Sequence, residues 1–388
     1  MKKKKDILIV ARPDHSMQIY NALLGQSKLN YLYLTYKVFP KWVKKITGIK
    51  KLTVCSRNYI CSWKLTFVNL CRYKYKFSFA QSWDETHVFD SSLKRLFRTN
   101  DVKLIHYWPE YGDSEIIKYI KQHPESHAFA DIHMPHPRAV YNSMKPIYER
   151  YGITPESTQL YKMVQEQSDF AQKATDILVP SSYVADSYRD VYNDKNYHIV
   201  SYGITVSRLY TKRNPSIIKE FVYAGRISLE KGSDLLLDFF EKHQDLNIHL
   251  YGSVIAGQES IFNKYNNVKN IYFHGSVPKM ELQERLNLYD VGIHLSRFDA
   301  YSLAVGEMIG CGLPVIVSEN TGNKDDIRKE ELGLVTSLDL DSIEKAIKII
   351  VDPNNYNKIV MNIDNYILNK NKTYGERMID FYLNILHL

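Results

Sequence analysis

Two stretches of the chain hold residues whose types and spacing suit the binding of a diphosphate and a sugar. The first runs Phe221-Val222-Tyr223-Ala224-Gly225-Arg226 and continues to Lys231-Gly232. An apolar run, a glycine turn and a helix start place Arg226 at a strand end and Lys231 near a helix N-terminus, where free backbone N–H groups and the helix dipole favour an anion. When a sugar leaves a nucleotide diphosphate, negative charge builds on the β-phosphate, and fixed cations stabilise it most where water is excluded. Taken alone, Gly-Arg-x4-Lys-Gly also describes a surface Arg and Lys flanking a helix. The second stretch runs from Val291 through Asp299 and Ser302-Leu303 to Glu307, then Gly312-Leu313-Pro314-Val315. A strand ending near Leu295, a loop carrying Asp299 and a helix beginning near Ser302 put Glu307 one to two turns into that helix. Two carboxylates so separated can accept hydrogen bonds from hydroxyls on two sugar rings, and the N–H groups of Ser302 and Leu303 would face the phosphates.

With both stretches present in this order, the second half resembles the family 4 retaining glycosyltransferases. Their signature is an acidic residue, seven residues, a Glu, a small-residue stretch and Gly-x-Pro-Val, here Asp299, Glu307 and Gly312-Leu313-Pro314-Val315. The resemblance extends to Ala174-Thr175-Asp176-Ile177-Leu178-Val179-Pro180-Ser181 and to Tyr202-Gly203-Ile204; it is strong over residues 170–335 and weak before them. It implies the α/β GT-B architecture, two Rossmann-like domains facing across a cleft, and transfer of a sugar from a nucleotide-diphosphate donor with retention of configuration. Carried over residue by residue, it implies that Arg226 and Lys231, with Gly225, hold the diphosphate, that Glu307 holds the ribose, and that Asp299 contacts the transferred sugar. The family usually has Glu where this chain has Asp299, so the contact made by the shorter side chain stays open. The turn Gly275-Ser276-Val277 matches the place where backbone atoms meet the nucleobase, with Ser276 and Val277 as the contacts. His133, in Asp131-Ile132-His133-Met134-Pro135-His136, matches a position where a His near the donor sugar orients a hydroxyl; alternatively His133 and His136 only satisfy loop backbone groups. Arg12-Pro13-Asp14-His15 occupies the first strand-to-helix turn, where relatives often carry a glycine-rich loop against acceptor or phosphate. Those glycines are absent, and His15 is the candidate contact there.

Asp339-Leu340-Asp341 reads better as a helix start than as a metal site. Arg226, Lys231 and the helix dipole would take the place of a cation, so no metal and no cofactor are expected beyond the nucleotide-sugar donor substrate. No Ser/His/Asp or Cys/His nucleophile arrangement is evident, and front-side attack, which the resemblance implies, requires none.

The elements that must position these residues follow one pattern, a short β-rich run and then a helical stretch, which argues for parallel sheets covered by helices. Strands are expected over residues 6–11, 102–107, 127–132, 177–180 and 197–201, with helices over 15–25, 113–123, 155–174 and 182–191. A second series of strands is expected over 220–224, 247–251, 270–273, 291–295, 314–317 and 333–335. The polar, Gly- and Pro-containing segment 203–215 reads as a linker. The expected domains are residues 1–203 on the acceptor side and 216–365 on the donor side, with a helical tail, 366–388, packing back across the junction. Ligands of open α/β sheets bind beyond the carboxyl ends of the strands, so the cleft lies there.

A chain of 388 residues with 44% hydrophobic and 24% charged residues excludes disorder and fibrous repeats. Cys55, Cys61, Cys71 and Cys311 lack paired zinc spacing and read as reduced structural thiols. The net charge of +8 is uneven: residues 1–200 hold 30 Lys and Arg against 19 Asp and Glu, and residues 201–388 hold 21 against 24. Residues 15–83 contain no acid but 12 basic and 14 aromatic residues, among them Lys41-Trp42-Val43-Lys44-Lys45. Basic side chains attract anionic headgroups, and Tyr and Trp favour the bilayer interface, so this segment is expected to meet an anionic membrane surface. A soluble basic face is the plainer alternative; nucleic acid is not expected, because no recognisable nucleic-acid module accompanies the patch. The apolar run after the basic start is broken by Arg12 and Pro13, and no later run is long enough to span a bilayer. The expectation is therefore a cytoplasmic protein, peripheral at the inner membrane face, with a lipid-linked saccharide as acceptor in surface-polysaccharide assembly. A non-catalytic sugar-nucleotide-binding or scaffold protein of the same fold is the alternative.

Overall fold

The computed structural model describes residues 2–11, 16–35, 39–40, 53–54, 59–61, 89–109, 113–166, 171–204, 206–207 and 217–388; of 39–40, 53–54, 59–61 and 165–166 it describes the backbone. His15, Lys41, Lys44 and Lys45 lie outside the described residues, as does most of the basic aromatic segment.

The first series of elements is β1 (Lys3–Val10), α1 (Ser16–Leu24), β2 (Tyr31–Thr35), a short pair β3 (Phe39–Pro40) and β4 (Thr53–Val54), β5 (Tyr59–Cys61), α2 (Asp90–Thr99), β6 (Asn100–Tyr107), α3 (Asp113–Gln122), β7 (His127–Asp131), α4 (Pro137–Arg150), α5 (Gln159–Glu166), β8 (Asp176–Val179), α6 (Ser182–Arg189) and β9 (Asn196–Ile199). The second is β10 (Glu220–Ala224), α7 (Ser233–Lys242), β11 (Asn247–Tyr251), α8 (Glu259–Phe262), β12 (Ile271–Gly275), α9 (Lys279–Leu286), β13 (Val291–His294), α10 (Leu303–Gly310), β14 (Val315–Ser318), α11 (Lys324–Glu330), β15 (Gly333–Thr336), α12 (Leu340–Ile350), α13 (Pro353–Asn365) and α14 (Tyr374–Leu386). Seven strands form one parallel sheet in the order β5-β2-β1-β6-β7-β8-β9, and six form another in the order β12-β11-β10-β13-β14-β15. Ile7 to Val10 and Val315 to Val317 are fully buried, as central strands covered on both faces must be, which is why they read as continuous apolar runs.

The helices depart from the sequence-based expectation in three places. Neither α2 nor α4 was expected. In α4, Pro137 stands at the start, where a missing N–H costs nothing, and Pro146 stands inside, where a reader of the sequence would break the helix. The helix expected over 155–174 begins only at Gln159, because the Thr158 hydroxyl accepts from the Tyr161 N–H and sets the start there; residues 171–174 are a turn.

Two helices leave the series in which they fall. Val140, Met144 and Tyr148 on α4 are buried in one apolar cluster with Phe221, Leu237 and the rest of the second core. Tyr374, Met378, Ile379 and Tyr382 on α14 are buried in the cluster of the first sheet. Each half thus lends a helix to the other.

Candidate donor site

The carboxyl ends of β10, β11, β12 and β13 carry the loops that hold the candidate residues. Gly225 and Gly252 follow β10 and β11, and the Gly225 N–H bonds the Tyr251 carbonyl at 2.9 Å. Arg226 is exposed at the end of β10, and its carbonyl accepts from the buried Tyr223 hydroxyl at 2.6 Å. Gly232 has φ 67°, and a Cβ there would lie 1.9 Å from the Leu295 carbonyl oxygen. Only glycine lets the start of α7 pack against the loop after β13, and that packing brings Lys231 to Asp299.

Lys231 Nζ donates to Asp299 Oδ2 at 2.6 Å, and His294 Nε2 lies 3.0 Å from the same oxygen. Burial raises the Asp299 carboxyl, and the His294 bond and charge together with Lys231 more than reverse this, leaving its pKa at about 2. The folded value lies below the ordinary 3.8. The pair therefore contributes its full stability above the unfolded pKa and loses it as pH falls from about 4 to about 2. The difference in thermal midpoint between the wild type and Asp299→Asn is expected to be constant above about pH 5 and to shrink across that acid window. Melting curves at pH 7, 5, 4 and 3 read this, and an unchanged difference at pH 3 would refute the coupling.

Glu307 on α10 is 17% exposed in its side chain and pairs with Lys279 of α9 at 2.5 Å. Each acid of the Asp-x7-Glu pair is thus matched to a lysine from another element. The Ser276 hydroxyl, in the turn after β12, shares a hydrogen bond of 2.8 Å with Ser253, and Val277 is half-buried beside it. Ser302 caps α10 by accepting from the Val305 N–H, while its own N–H donates to Asn323 Oδ1 at 2.6 Å. That amide is therefore committed within the protein, and Leu303, 54% exposed, begins the accessible first turn.

Around the start of α7 three amides are committed within the protein. The N–H groups of Lys231 and Ser233 bond the Ser228 carbonyl, and that of Gly232 bonds Leu229. Arg297 Nη1 and Nη2 bind the buried Asp234 of the first turn at 2.6 and 2.8 Å. Among the described residues no side chain caps the first turn of α7.

From the first half, Tyr183 on α6 is drawn close enough to Asp299 that burial and the carboxylate charge both raise its hydroxyl pKa. The Ser181 hydroxyl donates to the Ala300 carbonyl at 2.7 Å, and Gly322 fits against both: a Cβ there would lie 1.9 Å from that carbonyl oxygen. On α4, the Tyr148 hydroxyl donates to Glu230, next to Lys231, at 2.7 Å. His133 follows β7, 25% exposed in its side chain, with Nδ1 2.7 Å from the Tyr202 hydroxyl. His136 caps α4 by accepting from the Arg138 N–H, the backbone role that was the plainer alternative for it. Asp339 caps α12 in the same way, accepting from Ser342 N–H. Among the described residues no helix is long and apolar enough to cross a membrane, and no group of three or more metal-ligating side chains gathers.

Residues 212–374 match the family model of glycosyl transferases group 1. Over these residues the second half resembles the group 1 glycosyltransferases. Lys231, Asp299, Lys279 and Glu307 all lie within the matched residues, whereas α4, α6 and most of α14 lie outside them. Glycosyltransferase 1 domain-containing protein 1 of Xenopus tropicalis is 20% identical over 158 residues, which is 40% of this chain and 46% of that protein. Among solved structures, the lipopolysaccharide outer core galactosyltransferase WaaB superposes with TM-score 0.61 at 13% identity, covering 100% of this chain and 99% of that one. Sucrose-phosphate synthase from Thermosynechococcus elongatus gives 0.60 at 14% identity over all of both chains. HepE of Anabaena, solved with UDP and glucose, gives 0.57 at 12% identity over 99% of this chain and 100% of that one. At these identities the likeness establishes the fold: the chain as a whole has the GT-B architecture.

His294, Tyr183 and Tyr148 were not singled out by sequence. His294 falls in an apolar strand and reads as core; its distance of five residues from Asp299 was the one available signal.

Proposed function

We propose that the protein transfers a glycosyl unit from a nucleotide-diphosphate sugar to a saccharide acceptor with retention of configuration. The observation that carries this reading is the Lys231–Asp299 contact at the carboxyl ends of β10 and β13, with Glu307 on the following helix. In the reaction the anomeric C–O bond to the β-phosphate breaks as the acceptor oxygen bonds the same face of that carbon. The acceptor proton passes to the departing phosphate oxygen. Lys231 and Arg226 stabilise the charge that grows there. A bound diphosphate competes with Asp299 for Lys231, and the carboxylate so released accepts a hydroxyl of the transferred sugar. Glu307 accepts from the ribose hydroxyls, the Ser276-Val277 turn meets the base, and His133 faces the donor sugar. The basic aromatic character of residues 15–83 supports a lipid-linked acceptor at an anionic membrane surface, as in polysaccharide assembly.

A thermal-shift screen of nucleoside diphosphates and their sugar conjugates tests the donor. A ligand that binds the folded state at a hundred times its Kd adds about 2.7 kcal/mol of stability. One nucleotide is expected to raise the midpoint of the wild type, far less that of Lys231→Ala, and to yield a new glycosidic bond when a saccharide is added. A complete panel that stabilises nothing would defeat the reading.

A further inference from the structure

We infer that Asp131 is a positioning residue that fixes the tautomer of His133, and that the C-terminal helix holds Asp131 in place. This rests on the proposed place of His133 at the donor sugar.

Asp131 ends β7, and its residue is only 4% exposed. Its Oδ2 lies 2.8 Å from His106 Nε2, and His106 Nδ1 lies 2.6 Å from the hydroxyl of Tyr382 on α14. The Tyr374 hydroxyl, also from α14, is 3.5 Å from Asp131 Oδ2. Its other oxygen, Oδ1, lies 3.6 Å from His133 Nδ1. Burial works against ionisation of Asp131, but His133, His106 and the Trp108 side chain outweigh it and hold the carboxyl below its ordinary range. A carboxylate stands, then, between two imidazoles.

The assignment of protons follows from one rule: a lone pair does not face a carboxylate when a proton can. His106 donates from Nε2 to Asp131 and accepts from Tyr382 at Nδ1. His133 carries its proton on Nδ1, facing Asp131 and the Tyr202 oxygen, which accepts it. The consequence is that His133 Nε2, which is buried in this structure, is left as an acceptor and not a donor. The groups that face the pair come from every surrounding element: His106 on β6, Trp108 after it, Tyr202 before the linker, and Tyr374 and Tyr382 on α14. Among the described residues that face the pair, none is a second carboxylate or a lysine. A buried Asp orienting an imidazole is also how the serine protease triad keeps its histidine in the working tautomer.

The test reads the tautomer directly from the 15N shifts of His133 in the full-length protein above pH 8, for the wild type, Asp131→Asn and Tyr202→Phe. The wild type is expected to carry the proton on Nδ1. Asp131→Asn is expected to give the other tautomer or a mixture. Its kcat for transfer should fall about tenfold or more, with the donor KM within about twofold. Tyr202→Phe, which leaves the carboxylate, is expected to retain the Nδ1 proton and covers the case in which Asp131→Asn does not fold. A wild-type proton on Nε2, its migration in Tyr202→Phe, or an Asp131→Asn variant with unchanged tautomer and kcat would overturn the inference. The tautomer is measured without turnover, so a failure of the glycosyl-transfer reading shows separately, as an inactive wild type.

Discussion

Lys231→Ala is expected to lower kcat by roughly 10²- to 10³-fold, the cost of removing one fixed donor from a developing oxyanion. Two effects combine. The departing phosphate loses its half-buried cation, and Asp299 keeps His294 as a partner but loses the charge 2.6 Å away. Initial rates at saturating donor check it, with circular dichroism confirming the fold. Since the interaction strengthens as charge moves to the phosphate, the loss belongs in kcat more than in KM. A variant within threefold of wild type would remove Lys231 from the mechanism. Lys231→Arg is expected to recover part of the rate, because the charge remains while a planar fork replaces a point charge.

The second large effect is on stability. Arg297→Met leaves the Asp234 carboxyl, 1% exposed, with the Tyr151 hydroxyl as its one remaining side-chain partner among the described residues, and also removes the bond to the Leu229 carbonyl. Breaking one side of such a pair costs about 3–5 kcal/mol, whereas replacing both partners with apolar groups of similar volume is close to neutral. Chemical denaturation should show this loss in Arg297→Met and recover most of it in Arg297→Met/Asp234→Leu. A single variant within about 1 kcal/mol of wild type would mean that Asp234 escapes its charge by another route. The pair matters to the site because Arg297 lies two residues before Asp299 and Asp234 three after Lys231, so it ties together the two loops whose tips touch.

Apart from β2 to β5, which were not called, the strands were readable because a parallel sheet buries both faces, and a run such as Ile7-Leu8-Ile9-Val10 or Val315-Ile316-Val317 fits little else in a chain of this length. The Gly-Arg-x4-Lys-Gly and Asp-x7-Glu spacings were readable because local geometry around one strand end sets them. Helix α4 was hidden by Pro146, whose missing hydrogen bond is offset by burial of Val140, Met144 and Tyr148 against the other half, a gain that no local window contains. Around the start of α7 the loop folds back, and its own carbonyls occupy the amides of Lys231, Gly232 and Ser233, which no local window shows.

What the sequence determined by itself was the strand order of the second half, most strands of the first, the family resemblance of the second half, and the local spacing of Arg226, Lys231, Asp299 and Glu307. Those follow from short-range periodicity and backbone geometry. Tertiary structure alone decided which charges meet. Lys231 reaches across 68 positions to Asp299, Lys279 crosses to Glu307, and Tyr382 reaches back 276 positions to His106. Coulomb and hydrogen-bond energies depend on separation in space and on burial, so a partner distant in the chain leaves no mark in the sequence around either residue.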